Sequence, residues 1–189
     1  FAYVPSMVHD RLPALADPDY VHKFYVDGQI RVADAKIGGW KTVAVGGLGG
    51  GGKGVFALDI TNPNSFKQSD VLWELTADND SDIGHVYDEP IVTRLGDGSW
   101  VAIFANGFNS NNDQAYLFVV NLANGTIKQK IPLGVDGNNG GNGGNGGNGG
   151  NNDVDAGGNG LASTAALIDP QTRLFTRRVY AGDLKGNMW

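Results

Sequence analysis

Apolar residues along this chain fall in short runs rich in Val, Ile, Phe and Tyr, separated by Gly, Asn, Asp and Pro. Short runs of this composition, bounded by turn residues, predict β-strands. The pattern also repeats. Gly28-Gln29-Ile30-Arg31-Val32 through Gly38-Gly39-Trp40-Lys41-Thr42-Val43-Ala44-Val45-Gly46-Gly47 aligns without gaps, at an offset of 60, with Asp88-Glu89-Pro90-Ile91-Val92 through Gly98-Ser99-Trp100-Val101-Ala102-Ile103-Phe104-Ala105-Asn106-Gly107. Trp40 then matches Trp100, and Gly47 matches Gly107. Each copy continues into an apolar strand beginning at Val55 or Tyr116, and then into a fourth, Val71–Leu75 or Thr126–Ile131.

A third copy starts late. Ser163–Ile168 reads as its first strand, Arg178–Asp183 as its second, and Asn187–Trp189 would open its third. Four short antiparallel strands per unit, at a period of about 60 residues, is the signature of a β-propeller blade. The expected fold is therefore all-β: a partial β-propeller of four-stranded antiparallel blades. Residues 28–87 form one blade, 88–135 a second and 161–189 the start of a third. A complete propeller has about four to eight blades, so the chain reads as a fragment. Residues 1–27 join from a preceding part. In them Phe1–Val4 reads as a strand, Ser6 caps a helix from Met7 to about Ala16 limited by Pro13, and Tyr20–Gly28 reads as a strand and turn. Residues 136–160 are a low-complexity tract, 12 Gly and 8 Asn in 25 residues. With almost nothing to bury, it reads as a flexible surface loop. Its carboxylates, Asp136, Asp153 and Asp155, do not have the spacing of a calcium-binding β-roll.

Composition narrows the function classes. Thirty of 189 residues are glycine. Glu occurs only at Glu74 and Glu89 while Asp is abundant, a bias toward turns over helix interiors. The net charge of −6 leaves no basic face for nucleic acid, and the cluster Arg173, Arg177 and Arg178 is too small to supply one. The absence of cysteine excludes thiol chemistry, thiolate metal sites and disulfides. No apolar run is long enough to span a bilayer, and no signal peptide is present at Phe1.

The motifs with chemical potential each have a plainer reading. Gly47-Leu48-Gly49-Gly50-Gly51-Gly52-Lys53-Gly54 nearly matches a phosphate-cradling loop, but that chemistry needs a helix to follow, and Val55–Ile60 is β-rich. It reads as a hairpin loop. Asp78, Asp80, Asp82 and Glu89 are the candidate metal ligands. Their alternation resembles an EF-hand calcium loop, yet Ile83 stands where that loop needs Gly. A calcium site and a polar link between blades both stay open. His9, His22 and His85 have no zinc-site spacing, and no Ser-His-Asp set can be drawn. Trp40 and Trp100, at equivalent positions, read as packing between blades.

Six phrases in order resemble the PilC/PilY family of type IV pilus tip-associated proteins. They are Phe1–Ser6, Tyr20–Gly28, Trp40–Gly49, Phe56–Pro63, Asn106–Ser110 and Tyr180-Ala181-Gly182-Asp183-Leu184-Lys185-Gly186-Asn187-Met188-Trp189. The resemblance covers nearly the whole chain apart from the Gly/Asn tract. It implies the C-terminal β-propeller of a large exported protein at the cell surface, on the pilus tip and associated with the outer membrane. Such a protein supports pilus assembly, opposes retraction and contributes to adhesion, with minor pilins or the pilus tip and a host or abiotic surface as partners. The family often carries an acidic calcium loop before the last phrase. Here that stretch keeps only Asp169 and places Arg173 and Arg177 among the ligand positions, where positive charge would repel calcium, so the site is not carried over.

The first functional reading is thus a non-enzymatic binding or assembly module that presents its connections from a rigid scaffold, the candidate loops being Gly49–Gly54, Asn109–Asp113 and Asp136–Gly160. The alternative is an enzyme, a quinoprotein dehydrogenase of the pyrroloquinoline quinone type. Its propellers also use phrases like Gly182–Trp189, and it needs a calcium-assisted pocket with a catalytic carboxylate.

Overall fold

The computed structural model describes residues 1–134, 159–171 and 175–189. Most of the Gly/Asn tract, with Asp136, Asp153 and Asp155, lies outside the described residues, as does Arg173. Within them the chain forms three antiparallel sheets. The first runs in the order β1 (Ile30–Lys36), β2 (Trp40–Gly47), β3 (Gly54–Asp59), β4 (Val71–Thr76). The second repeats that order with β5 (Ile91–Arg94), β6 (Trp100–Ala105), β7 (Ala115–Asn121) and β8 (Ile127–Leu133). The third pairs β9 (Leu161–Ile168) with β10 (Thr176–Asp183). These are the expected four-stranded antiparallel units, arranged as open sheets and not as a closed ring. The third pair starts earlier than the sequence suggested. Asn187–Trp189 meets β10 through a single bridge, Gly182 to Met188, flanked by reciprocal Ala181–Trp189 hydrogen bonds of 3.0 and 2.8 Å.

Alternation along β6 and β7 explains why the second sheet sits between the others. Both of its faces are apolar, and successive side chains point to opposite sides. Val101, Ile103, Ala105, Leu117 and Val119 pack toward Leu161 and Ala181 of the third sheet. Ala102, Phe104, Phe118 and Val120 pack toward Val43, Val45, Val55, Ala57 and Trp73 of the first. Phe104 and Phe118 stack at 5.3 Å, and each fully buried side chain of this size contributes about 1.5–3 kcal/mol. The Trp73 indole N–H on β4 donates to the Leu122 carbonyl, just past the end of β7, at 2.9 Å and ties the first sheet to the second. Trp40 and Trp100 meet edge to face at 6.3 Å, so the repeated aromatic does pack between units.

The first 28 residues differ most from expectation. Neither Phe1–Val4 nor Tyr20–Gly28 forms a strand. Ser6–Ala16 is a 3-10 helix with Pro5 at its cap and Pro13 inside it. Ser6 does not cap it: its hydroxyl and backbone N–H (2.8 Å) both donate to the Glu74 carboxylate on β4. The reason is the outer face of the first sheet. Phe56, Ala44 and Leu58 point away from the second sheet and need cover. The N-terminal segment supplies it, with Tyr3 against Phe56 at 5.3 Å, Phe1 stacked on Phe66 at 4.2 Å and Val8 fully buried. Glu74 anchors the segment by accepting from Tyr3 and Ser6. Burial alone would raise its pKa, but these hydrogen bonds prevail and hold it below the usual range.

Candidate functional site

The first strands of the three sheets, β1, β5 and β9, approach one another and wall a cavity of about 470 Å³. Each is an edge strand of its own sheet, so backbone and side chains both face this space. Its apolar wall is Val32, Val92 and Ile168. Its polar groups are already engaged. Arg31 and Glu89 pair at 2.9 Å, Asp88 accepts the Thr164 N–H at 2.6 Å and its hydroxyl at 3.3 Å, and the Thr93 and Thr176 hydroxyls meet at 2.6 Å. Arg31 and Glu89 remain partly exposed. The cavity has a mixed polar and apolar lining that includes a partly exposed ion pair.

The alternating acidic run is not brought together as one set. Asp78 is exposed and Glu89 belongs to the cavity just described. Asp80 and Asp82 do converge, on the ammonium of Lys130 from β8. Lys130 Nζ lies 2.7 and 3.0 Å from the two Asp80 oxygens and 2.5 Å from Asp82 Oδ2. It also sits 4.7 Å from the Tyr116 ring centroid. Burial works against the charge on Lys130, yet the two aspartates raise its pKa above the ordinary value. The run does not fit a resident divalent cation, since the ammonium stands between the two carboxylates and would repel it. Among the described residues no group of three or more His, Cys, Asp or Glu side chains is arranged to hold a metal.

The ammonium fastens the connection between the first two sheets to the outer strand of the second. Lys130→Met is expected to cost about 2–3 kcal/mol in urea unfolding, because it leaves the buried Asp82 carboxylate without its cation and with only the Asn112 side-chain amide as a side-chain partner. Adding Asp82→Asn should recover part of that loss. Equal stability of the single variant and the parent would show the pair to be ornamental.

Two candidate loops look different in three dimensions. The glycine loop does not stand free: Gly49, Gly51 and Gly54 are buried, and a 3-10 turn over Gly49–Gly51 leads straight into β3, with no helix to hold a phosphate. The loop lies under the N-terminal cover. Arg11 donates to the Gly51 carbonyl, Gly51 N–H donates to Asp27 Oδ1 at 3.0 Å, and the Tyr25 backbone crosses Gly51 so closely that no Cβ fits. The loop Asn109–Asp113 is partly exposed, with Ser110 buried and Asn109 and Asp113 at positive φ. Asn112 ties it to Asp82 at 2.7 Å. Of the third candidate, Asp136–Gly160, only Asn159 and Gly160 are described.

Sequence reasoning missed two polar centres. Asn106, completely buried, uses all of its side-chain hydrogen-bonding capacity. Its amide donates to the carbonyls of Asp82 (2.9 Å) and Gln114 (2.8 Å), and its oxygen accepts from the N–H groups of Tyr116 (3.0 Å) and Leu161 (3.2 Å). One side chain thereby joins the inter-sheet connection, the β6–β7 hairpin and β9. Asp183 does the same for the last phrase. It accepts from Asn187 N–H (2.8 Å), Asn187 Nδ2 (2.9 Å), Trp189 Nε1 (3.0 Å) and Asn159 Nδ2 (3.1 Å). Burial would raise its pKa, but these donors lower it. No motif marks either residue in the sequence, although Asn106 stands opposite Gly46 in the 60-residue repeat.

The remaining candidates are dispersed. His85 Nδ1 bonds the Gly49 carbonyl at 2.8 Å, His9 bonds the Val4 carbonyl at 3.0 Å, and His22 stands exposed beside Phe24. Asp169 is buried and accepts the Gln171 N–H at 2.9 Å, while Arg177 and Arg178 are exposed on β10. No helix among the described residues is long and apolar enough to cross a membrane.

Comparison with known proteins gives a consistent result. Residues 2–189 match the family model described as the PilY1 beta-propeller domain. A type IV pilus biogenesis factor PilY1 homolog of Xylella fastidiosa is 43% identical over the whole chain, which spans 12% of that protein. The type IV pilus biogenesis factor PilY1 of Pseudomonas aeruginosa PAO1 is 39% identical, again over the whole chain, which spans 15% of its length. The crystal structure of the Pseudomonas aeruginosa PilY1 C-terminal domain superposes with a TM-score of 0.76 at 35% identity, covering all of this chain and 33% of that one.

Proposed function

The chain belongs to the PilY1 beta-propeller domain family, and from that premise we propose that it serves as a non-enzymatic scaffold module of a type IV pilus biogenesis factor. The module works at the cell surface, on the pilus tip. It supports pilus assembly, opposes retraction and contributes to adhesion, with minor pilins or the tip as one class of partner and a solid or cellular surface as the other. The observation that carries this reading is the family match across residues 2–189, joined to an architecture in which three sheets are locked by two apolar cores. Such a scaffold holds edge strands and connections in fixed positions and can resist load without doing chemistry. The cavity walled by β1, β5 and β9 is the face on which we place the partner.

The test uses the full-length protein in its own host. Residues 2–189 are deleted, and in a separate strain Arg31→Ala is combined with Glu89→Ala. The second change costs under about 1 kcal/mol, since the pair is solvent-accessible, and it spares both cores. Surface pili are counted in retraction-competent and retraction-deficient backgrounds, at verified protein levels. Fewer pili in the competent background alone is expected if the module opposes retraction, and fewer in both if it supports assembly. Unchanged counts and unchanged attachment per pilus in the deletion strain would refute the proposal. A normal double variant beside a defective deletion would move the binding face away from the cavity.

A further inference from the structure

Lys53, at the end of the glycine loop, lines a pocket of about 230 Å³. Met7 and Arg11 of the N-terminal cover form one wall, and Thr76, Ala77 and Asp78, at the end of β4 and in the turn after it, form another. The pocket shares no residue with the cavity between β1, β5 and β9. Arg11 is fixed there: it donates to the Gly51 carbonyl, and its guanidinium lies 5.3 Å from the centre of the Tyr25 ring. That contact leaves the rest of its N–H fork without a partner among the described residues. Among them, too, the Lys53 ammonium and the Asp78 carboxylate have neither an ion-pair nor a hydrogen-bond partner. Arg11 and Lys53 are half-buried and Asp78 is exposed. Elsewhere Lys41, Lys128 and Lys130 each meet an aspartate. Here two cations and one carboxylate line a single pocket unpaired.

We propose that this pocket binds an acidic sugar, a pyranose ring that carries a carboxylate. The sugar carboxylate accepts charge-assisted hydrogen bonds from Arg11 and Lys53, a ring hydroxyl donates to Asp78, and an apolar edge of the ring lies against Met7 and Ala77. A monoanion leaves the pocket neutral, because its charge and that of Asp78 together balance the two cations. Inorganic phosphate fits less well: at neutral pH it offers mostly acceptors, and Asp78 repels it. An acidic side chain of a protein would satisfy the cations but bring no donor for Asp78. The volume suits one ring, since drug-sized ligands occupy pockets of about 300–1,000 Å³. This deepens the adhesive part of the proposed function by giving the recognised surface a chemistry, and it rests on that part alone. Its test counts no pili, so its failure leaves the scaffold reading standing.

The full-length protein is titrated with methyl glucuronide, and with methyl glucoside as the uncharged ring, by saturation-transfer difference NMR. The glucuronide is expected to bind at least about tenfold more tightly than the glucoside. Lys53→Met and Asp78→Ala should each weaken glucuronide binding about fivefold, the loss of one charge-assisted hydrogen bond at a solvent-accessible site. Neither side chain has a partner to lose among the described residues, so both variants should keep the circular dichroism of the parent. Lys23→Met, at an exposed lysine outside the pocket, is the control and should bind like the parent. No binding, or binding undiminished in both pocket variants, overturns the proposal. Equal binding of the glucoside overturns the role of the two cations. Weakening in Lys53→Met alone, or displacement by an equal concentration of inorganic phosphate, would mark a bare anion site and overturn the sugar assignment.

Discussion

Asn106→Leu is expected to lower the thermal midpoint of the propeller by roughly 8–16 °C. The substitution keeps the branching and the heavy-atom count and removes every side-chain hydrogen bond. It strands the carbonyls of Asp82 and Gln114 and the N–H groups of Tyr116 and Leu161 inside a site with no solvent access at residue 106. Each stranded group costs about 1–3 kcal/mol, and partial hydration at the more open Gln114 brings the total to about 4 kcal/mol. For a domain of this size 1 kcal/mol moves the midpoint by about 2–4 °C, which gives the range above. A second variant separates hydrogen bonding from packing. Asn106→Asp keeps the shape and the accepting oxygen but points a second oxygen at two carbonyls. Burial, together with two carbonyls facing an oxygen that has no donor, raises the pKa of that carboxyl, so the folded state gains a proton more readily than the unfolded one. The variant should therefore regain stability as pH falls from neutral, the opposite of what a native buried aspartate such as Asp183 does. Exposed Asn111→Ala is the control and should change little. A drop below 3 °C for Asn106→Leu in calorimetry would show that water replaces the lost partners.

The contrast between what could be read along the chain and what could not follows from the range of the interactions. Strands were legible because the signal is local: Val, Ile, Phe and Tyr in short runs pay off on any half-buried pleated surface. The offset that aligned Trp40 with Trp100 even anticipated a tertiary contact, because equivalent positions on adjacent sheets face each other. Burial of the glycine loop was not legible. Glycine has no side chain to report whether it faces water, and the Tyr25 backbone that crosses Gly51 lies 26 residues away in sequence. The alternation Asp78, Asp80, Asp82 was visible, but its cation, Lys130, sits in a polar stretch of β8 50 residues after Asp80. Asn106 was one asparagine in a chain full of them. Its role depends on β9, which arrives only after the whole Gly/Asn tract.

Gly107→Ala should be nearly as damaging as the change at its neighbour, for a separate reason. Gly107 has φ +75°, a left-handed conformation that costs a residue with a Cβ about 1 kcal/mol. A methyl there would also drive into the His85 carbonyl, well inside van der Waals contact. That carbonyl accepts the Phe108 N–H at 3.2 Å while His85 N–H donates to Phe108 at 2.8 Å, so the bridge between the connection and the hairpin must open. Gly107 N–H also donates to the Leu161 carbonyl at 3.1 Å, so β9 shifts with it. The expected loss is about 3–4 kcal/mol, read in calorimetry, with faster amide exchange at Gly84, His85 and Leu161. Gly96→Ala, where a Cβ meets nothing within 4 Å, is the control. The double variant carries the argument. Asn106 and Gly107 hold the same three elements together from adjacent positions, so once one has released β9 and the connection, the other has less left to break. The combined loss should fall short of the sum by 1 kcal/mol or more, on the order expected for residues that share partners. Full additivity would mean that the two residues secure different parts of the junction, and that β9 is held to the second sheet chiefly by the apolar contacts of Leu161 and Ala181.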